Sequence, residues 1–467
     1  MARARGSEHR GNWGGPYAAL GALLGLAFAL RLAGLQYGLP FGSLLNPDEQ
    51  SIVPRAWRMV HGGGLDPHWF DYPSLVLYVL APFQAWQGAP SVLAARAVVV
   101  LLGLLAVAAA WWLGRRSYGT VSAVVAGAFV AVQTTSVSYS HMAVTDIPLM
   151  AAVAGALALM VSDRLAWAAV VVGLAASAKY PGVFLLVPLV VAGWGRWRRL
   201  AVAGLLAIGA FLATSPFVLV HPGLAWHDAA RVQRLAREGW LGFEHDSFAL
   251  FAFTGRLWHT LGPALLVATA GLVAALVVRR RADLILSSFV LVYFADLITI
   301  GAHFDRYLLP LVPALGALAG RLRAIAPVTL LLLLVPLTYS IRDDLRLTRT
   351  DTRVVAERWI RHHVADDSVI AAESSTAPLP GYAVLPLALP GPGFTSDPNR
   401  DVVRLREHGV SYVLVTGAVA DRVLAAATHY PREARFYADL RRYTRRLFYV
   451  SSGRGLNGPW VAVYLIR

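Results

Sequence analysis

The chain has 467 residues, 57% of them hydrophobic and only 15% charged, with a mean hydropathy of +0.55, where soluble chains hold about 45–50% and 25%. That much apolar surface cannot be hidden in one interior, which excludes an ordinary soluble protein and makes lipid the solvent for most of the chain. The net charge of +15 raises a nucleic-acid partner, which its distribution then removes; zero cysteines exclude disulfides, thiolate metal sites and a cysteine nucleophile.

Eleven apolar runs follow one another: Tyr17–Leu35, Leu93–Leu113, Thr120–Tyr139, Ile147–Val161, Leu165–Ala178, Val183–Trp194, Leu200–Val218, Leu261–Val278, Leu284–Ile300, Tyr307–Gly320 and Ala324–Tyr339. We read them as spans, the first as a retained anchor. A further run, Tyr72–Trp86, decides the topology. If it does not cross, one face collects 14 basic residues, Arg3, Arg5 and Arg10 among them, against 3 acids (Glu8, Asp163 and Asp283). If it crosses, those clusters scatter to both sides. The positive-inside rule selects the first arrangement. Tyr72–Trp86 is then an interfacial helix, the N-terminus is cytoplasmic, and the basic excess is topological.

Beyond residue 340 the apolar runs stop. Helical spacing over Val354–His362 and Asp401–His408 alternates with strand-like Ser368–Ala372, Ser411–Thr416 and Val461–Ile466, around a Pro/Gly-rich connection Pro378–Pro398. The pattern predicts a small α/β domain over 341–467, on the outer side.

This topology places most of the unusual ionisable residues of the membrane region at outer span ends, where they are costly and therefore candidates for function. The first outer loop, 36–90, carries Asp48 and Glu49 and then Tyr72. Asp48 is readable as a helix N-cap or as a general base. Asp146 opens a span. Lys179, the one lysine among 42 basic residues, and Arg306 read either as interfacial anchors or as phosphate ligands. His61, His141 and His303 show no metal-ligand spacing, and Asp296, deep in its run, is expected to bond across helices. No phosphate-binding glycine loop occurs, so an activated donor would arrive through the membrane.

The segments NPDE (46–49), GGG (62–64), DYPSL (71–75), LAARAVVVLLG (93–103), GRRSYG (114–119), SYSHMAVTDIPLM (138–150), SAKYPG (177–182) and HFDRYLLPLVPALGAL (303–318) occur in this order. Their sequence resembles the GT-C glycosyltransferases of the dolichyl-phosphate-mannose protein mannosyltransferase type, the superfamily of the lipid A aminoarabinose transferases and the RgtA/B/C/D-like enzymes. The resemblance implies an α-helical polytopic membrane protein of GT-C type, with about eleven transmembrane helices, interfacial helices in the first outer loop and the appended α/β domain. It implies a plasma-membrane hexosyl- or pentosyltransferase that takes a polyprenyl-phosphate sugar to a protein, lipid or glycan hydroxyl on the extracytoplasmic face. Asp48 maps onto its catalytic acid with Glu49 beside it, and Asp146 onto its second acidic position. Lys179 and Arg306 are the expected donor-phosphate ligands, and Tyr72, His141 and His303 the expected substrate contacts. Some members also use a divalent metal. A transporter or lipid flippase is the competing reading; it calls for two matching halves and mid-span charges, whereas here only Asp296 lies deep.

Overall fold

The computed structural model describes residues 14–453 and 455–466, so Arg3, Arg5, Glu8 and Arg10 lie outside the described residues. All eleven apolar runs are helical over most of their length. By length and composition three helices can cross a membrane: Val92–Tyr118, Trp197–Thr214 and Arg323–Leu347. The number rises to five if the bent pairs Thr120–Val132 with Thr134–Ser140 (56°) and Ala249–Leu261 with Ala264–Val278 (118°) each count as one. The other runs are shorter or broken. Pro181, Pro310 and Pro313 each remove a backbone donor, and the turns around Pro181 and Pro310 tighten to 3-10 geometry.

Val92–Tyr118 is the central helix. The Ser91 hydroxyl caps its start by accepting from Ala94 N at 3.3 Å, and Arg115 and Arg116 sit in its last turn, at the negative end of the helix dipole. Small residues let the neighbouring helices close in. A Cβ on Gly114 would strike Ser122 backbone, and one on Gly271 the Leu318 carbonyl, the close approach that replaces the hydrophobic effect where lipid is the solvent. Arg31, fully buried, spends its guanidinium on the break at Gln133: it donates to the carbonyls of Val130 and Ala131, both at 3.0 Å, and to the Ser136 and Ser140 hydroxyls at 2.9 and 3.0 Å. The backbone oxygens freed by the bend are thereby satisfied.

Two short helices occupy the 36–90 segment, at Asp48–Val60 and Leu75–Gln84. A third amphipathic helix, Pro222–Glu238, lies in a stretch that the sequence reading leaves as a plain connection.

The helix Leu334–Leu347 carries the chain past residue 340, and the α/β part begins at β1, Thr350–Asp351, which pairs in parallel with β6, Leu456–Asn457. The remaining strands are β2 (Val369–Glu373), β3 (Ala383–Leu387), β4 (Tyr412–Thr416), β5 (Arg445–Val450) and β7 (Val461–Leu465). They form one sheet ordered β3-β2-β4-β7-β5, with β2 parallel to β3 and β4, and β7 antiparallel to β4 and β5. The segment Gly239–Phe248 ties this sheet to the helices. Leu241 is buried in the core of the α/β part, and Glu244 accepts from Tyr430 OH at 2.6 Å.

Candidate active site

Four charged side chains from four separate segments converge at one set of helix ends. Asp48 is the first residue of its helix, yet it does not cap it: the Asn46 side chain accepts from Asp48 N at 2.9 Å instead. The Asp48 carboxylate is thereby free to turn to Arg306, whose Nη1 lies 2.7 Å from Oδ2, and to Tyr72, whose hydroxyl donates to the same oxygen at 3.0 Å. Asp146 opens the helix Asp146–Val161, and its Oδ1 receives the Lys179 ammonium at 2.6 Å. Lys179 can reach it because the helix Leu165–Ala178 stops just before Pro181 and leaves this residue extended. The aromatic rings of Tyr72 and Tyr307 flank the ammonium at 5.7 and 5.2 Å.

Burial pushes the Asp48 carboxyl up, but the Arg306 charge and hydrogen bond, helped by Lys179 and Tyr72, outweigh it and hold the group below the usual carboxylate range. Two buried polar atoms here have no partner, Asp146 Oδ2 and Arg306 Nε. Buried polar groups are normally satisfied, so the quartet is arranged as if to receive something more.

Tyr72, Lys179 and Tyr307 form part of the lining of a cavity of about 760 Å³, whose far wall is the helix Pro222–Glu238 with Trp226, Arg234 and Arg237. Asp48 and Asp146 each sit one hydrogen bond behind that lining. The Asp48 side chain keeps 18% of its surface exposed, which leaves it open to an outside molecule.

Four expectations need correction. Glu49 does not join the quartet. Its carboxylate makes a bidentate pair with Arg96, both bonds 2.8 Å and both side chains fully buried, and also accepts from Ala143 N at 2.8 Å. Arg96 in turn donates to the carbonyls of Leu35 and Tyr37 at 2.9 and 2.8 Å, so Glu49 holds the start of the 36–90 segment and the 141–145 turn against the central helix. His141 is buried beside Asp344, Nε2 to Oδ1 3.7 Å, without lining the cavity. His303 pairs its Nδ1 with Asp246 at 2.9 Å, among Phe243 and Phe253, and likewise stays outside. Asp296 makes no side-chain hydrogen bond among the described residues and faces the cavity instead of a neighbouring helix.

The residues that sequence reasoning missed are Tyr307 and the wall helix. The signal was present: PGLAWHDAARVQRLARE alternates basic and apolar residues at helical spacing between two apolar runs.

A divalent metal does not fit the quartet. Asp48 and Asp146 are each paired with a cation, and no third carboxylate or imidazole converges on them; among the described residues, the one trio with metal-ligand spacing lies elsewhere.

Residues 69–299 match the model of glycosyltransferase family 87. Comparison with curated proteins gives no match. Among solved structures, ArnT from Cupriavidus metallidurans in the apo state is similar at 16% identity and a TM-score of 0.58, over 97% of each chain. The same protein bound to undecaprenyl phosphate gives 16% and 0.57, over 96% of this chain and 97% of that one. The Archaeoglobus fulgidus oligosaccharyltransferase AglB, in complex with an inhibitory peptide and a dolichol-phosphate, gives 14% and 0.59 over 95% of this chain and 74% of its own. At these identities the likeness is one of fold: the chain shares the architecture of ArnT and AglB over nearly its whole length, and the family 87 match spans just under half of it.

Proposed function

We propose that this protein transfers a hexosyl or pentosyl group from a polyprenyl-phosphate donor to a hydroxyl of a protein, lipid or envelope glycan, on the extracytoplasmic face of the plasma membrane. The observation that carries the reading is the quartet itself: two cations, balanced by two carboxylates, beside a cavity walled largely by apolar and aromatic side chains. Similar folds hold undecaprenyl phosphate and dolichol-phosphate, which supports a lipid phosphate as the occupant.

In this reading the donor phosphate draws Lys179 and Arg306 away from Asp146 and Asp48. The acceptor hydroxyl loses its proton to Asp48 as its oxygen bonds to the anomeric carbon. The bond from that carbon to the phosphate oxygen breaks, and the electron pair leaves with the phosphate, whose growing charge the two cations stabilise in a partly dehydrated site. Withdrawal of Arg306 also removes what holds the Asp48 carboxyl low, so the base strengthens when the donor is in place. Until the donor arrives Asp146 keeps Lys179 oriented, and Tyr72 keeps Asp48 aimed.

Donor affinity tests the phosphate contacts. Lys179→Ala and Arg306→Ala are each expected to weaken donor binding in detergent or nanodiscs by about 1.5–3 kcal/mol, one charge-assisted contact. Unchanged affinity in both, with the proteins folded, would return these residues to interfacial anchoring.

The face is tested separately, in a chain that conveniently starts without cysteine. Cysteines placed at positions 66 and 407 should react with an impermeant thiol reagent on intact cells, and those at 115 and 279 only after permeabilisation. Labelling of position 115 in intact cells would invert the arrangement drawn from the charge split.

A further inference from the structure

Away from the quartet, Asp66, His68 and His221 bring one ligand atom each to within 4.8 Å of one another. We propose that they form a divalent-cation site, selective for Zn²⁺, that fastens the first outer loop to the wall helix. The inference is independent of the transferase reading.

The geometry is close to what the metal requires. Asp66 Oδ2 lies 2.7 Å from His221 Nε2 and 3.6 Å from His68 Nε2. Metal–ligand bonds of about 2.0–2.2 Å set tetrahedral ligands roughly 3.3 Å apart, a value these two separations bracket. Two imidazoles with one carboxylate suit zinc, whereas magnesium and calcium select all-oxygen sets. No fourth protein ligand stands nearby among the described residues, which leaves that position to water. His68 is 69% exposed, so the ion has a direct way in from solvent.

Each ligand is held in place locally. Asp66 Oδ1 accepts from His68 N at 3.0 Å, fixing this histidine at a left-handed φ of 46°. His221 immediately precedes Pro222 and could turn its ring toward the helix start, but no capping bond forms and the ring meets Asp66.

The trio also sits on a seam. Just beyond it, Phe70 N donates to Asp228 at 2.9 Å, Tyr180 OH donates to the Phe70 carbonyl at 2.8 Å, and Arg231 pairs with Asp71. All three latches join the segment leading to Tyr72 with elements of the cavity wall. A cation at Asp66, His68 and His221 would add a fourth, and would fix how far the wall helix stands from Tyr72.

The test uses tag-free full-length protein in detergent, stripped with EDTA and titrated with ZnCl₂, read by calorimetry, metal analysis and thermal unfolding. One equivalent of Zn²⁺ should bind and raise the unfolding temperature, with millimolar Mg²⁺ unable to compete. His68→Ala removes an exposed side chain and should leave the fold intact, yet weaken Zn²⁺ at least about 100-fold, the upper range for losing a mere supporting partner of a ligand. His221→Ala should do the same. Zn²⁺ binding of equal affinity in the His68→Ala/His221→Ala double variant, or none in the wild-type protein, would overturn the site.

Discussion

Asp48→Asn is expected to fold, to bind the donor at least as well as wild type, and to turn over about 10²–10⁴-fold more slowly. The start of the Asp48–Val60 helix is secured by Asn46, so the substitution leaves the cap untouched. The asparagine oxygen still accepts from Tyr72, which preserves the local packing. Two things change. The new side chain cannot take a proton from an acceptor hydroxyl, and Arg306 loses the anion that competes with a phosphate for it. The variant should therefore split the kinetic constants, with kcat collapsing while donor KM stays level or falls. Steady-state turnover with a purified donor, beside a thermal unfolding scan, checks both halves. Near wild-type turnover in a folded Asp48→Asn protein would sink the base assignment and move attention to Asp146.

Glu49→Gln should do its damage differently, through stability. The variant leaves the Arg96 guanidinium fully buried with its counter-charge gone, a change that costs about 3–5 kcal/mol when one partner of a buried pair is removed. Folded proteins hold only about 5–15 kcal/mol in reserve, so a large drop in unfolding temperature and in yield is expected. The double variant Glu49→Leu/Arg96→Met, which removes both charges, should recover much of the loss. If Glu49→Gln unfolds at the wild-type temperature, the pair is not what holds the loop.

The contrast between Asp48 and Glu49 shows where the sequence could be read and where it could not. Side by side in NPDE, they look like one acidic unit, and the reading that Glu49 tunes Asp48 follows naturally. Successive helical residues point about 100° apart, so one carboxylate meets Arg306 and the other Arg96. Asp48, Asp146, Lys179 and Arg306 stood out as candidates because charge at a span end is costly, and the structure brings the four together. Which cation answers which acid was not legible, since that depends on how helix ends 33 and 258 residues apart are brought together. His141 and His303 misled for the opposite reason: both lie inside motifs that carry site residues, but neighbours in sequence on a loop need not face one cavity. The α/β part repeats the lesson at its margins. The inner strands β2, β4 and β7 stand out as β-branched runs. The edge strands β3 and β5 do not, because an edge tolerates Pro386 and an arginine-rich, half-solvated face.

The internal pairing of the quartet bears on how a catalytic cycle closes. If the occupant is a sugar phosphodiester, the lipid phosphate left behind carries one more ionisable oxygen and would cling to Lys179 and Arg306 harder than the donor did. Asp48 and Asp146 stand ready as built-in replacements for it: when the spent lipid leaves, neither cation is stranded in a dry site, because each falls back on a carboxylate already within 2.7 Å. A site with cations alone would grip its donor more tightly and then be poisoned by its own product. Under the proposed transfer, affinity for the lipid is given up in advance so that the second turnover can begin.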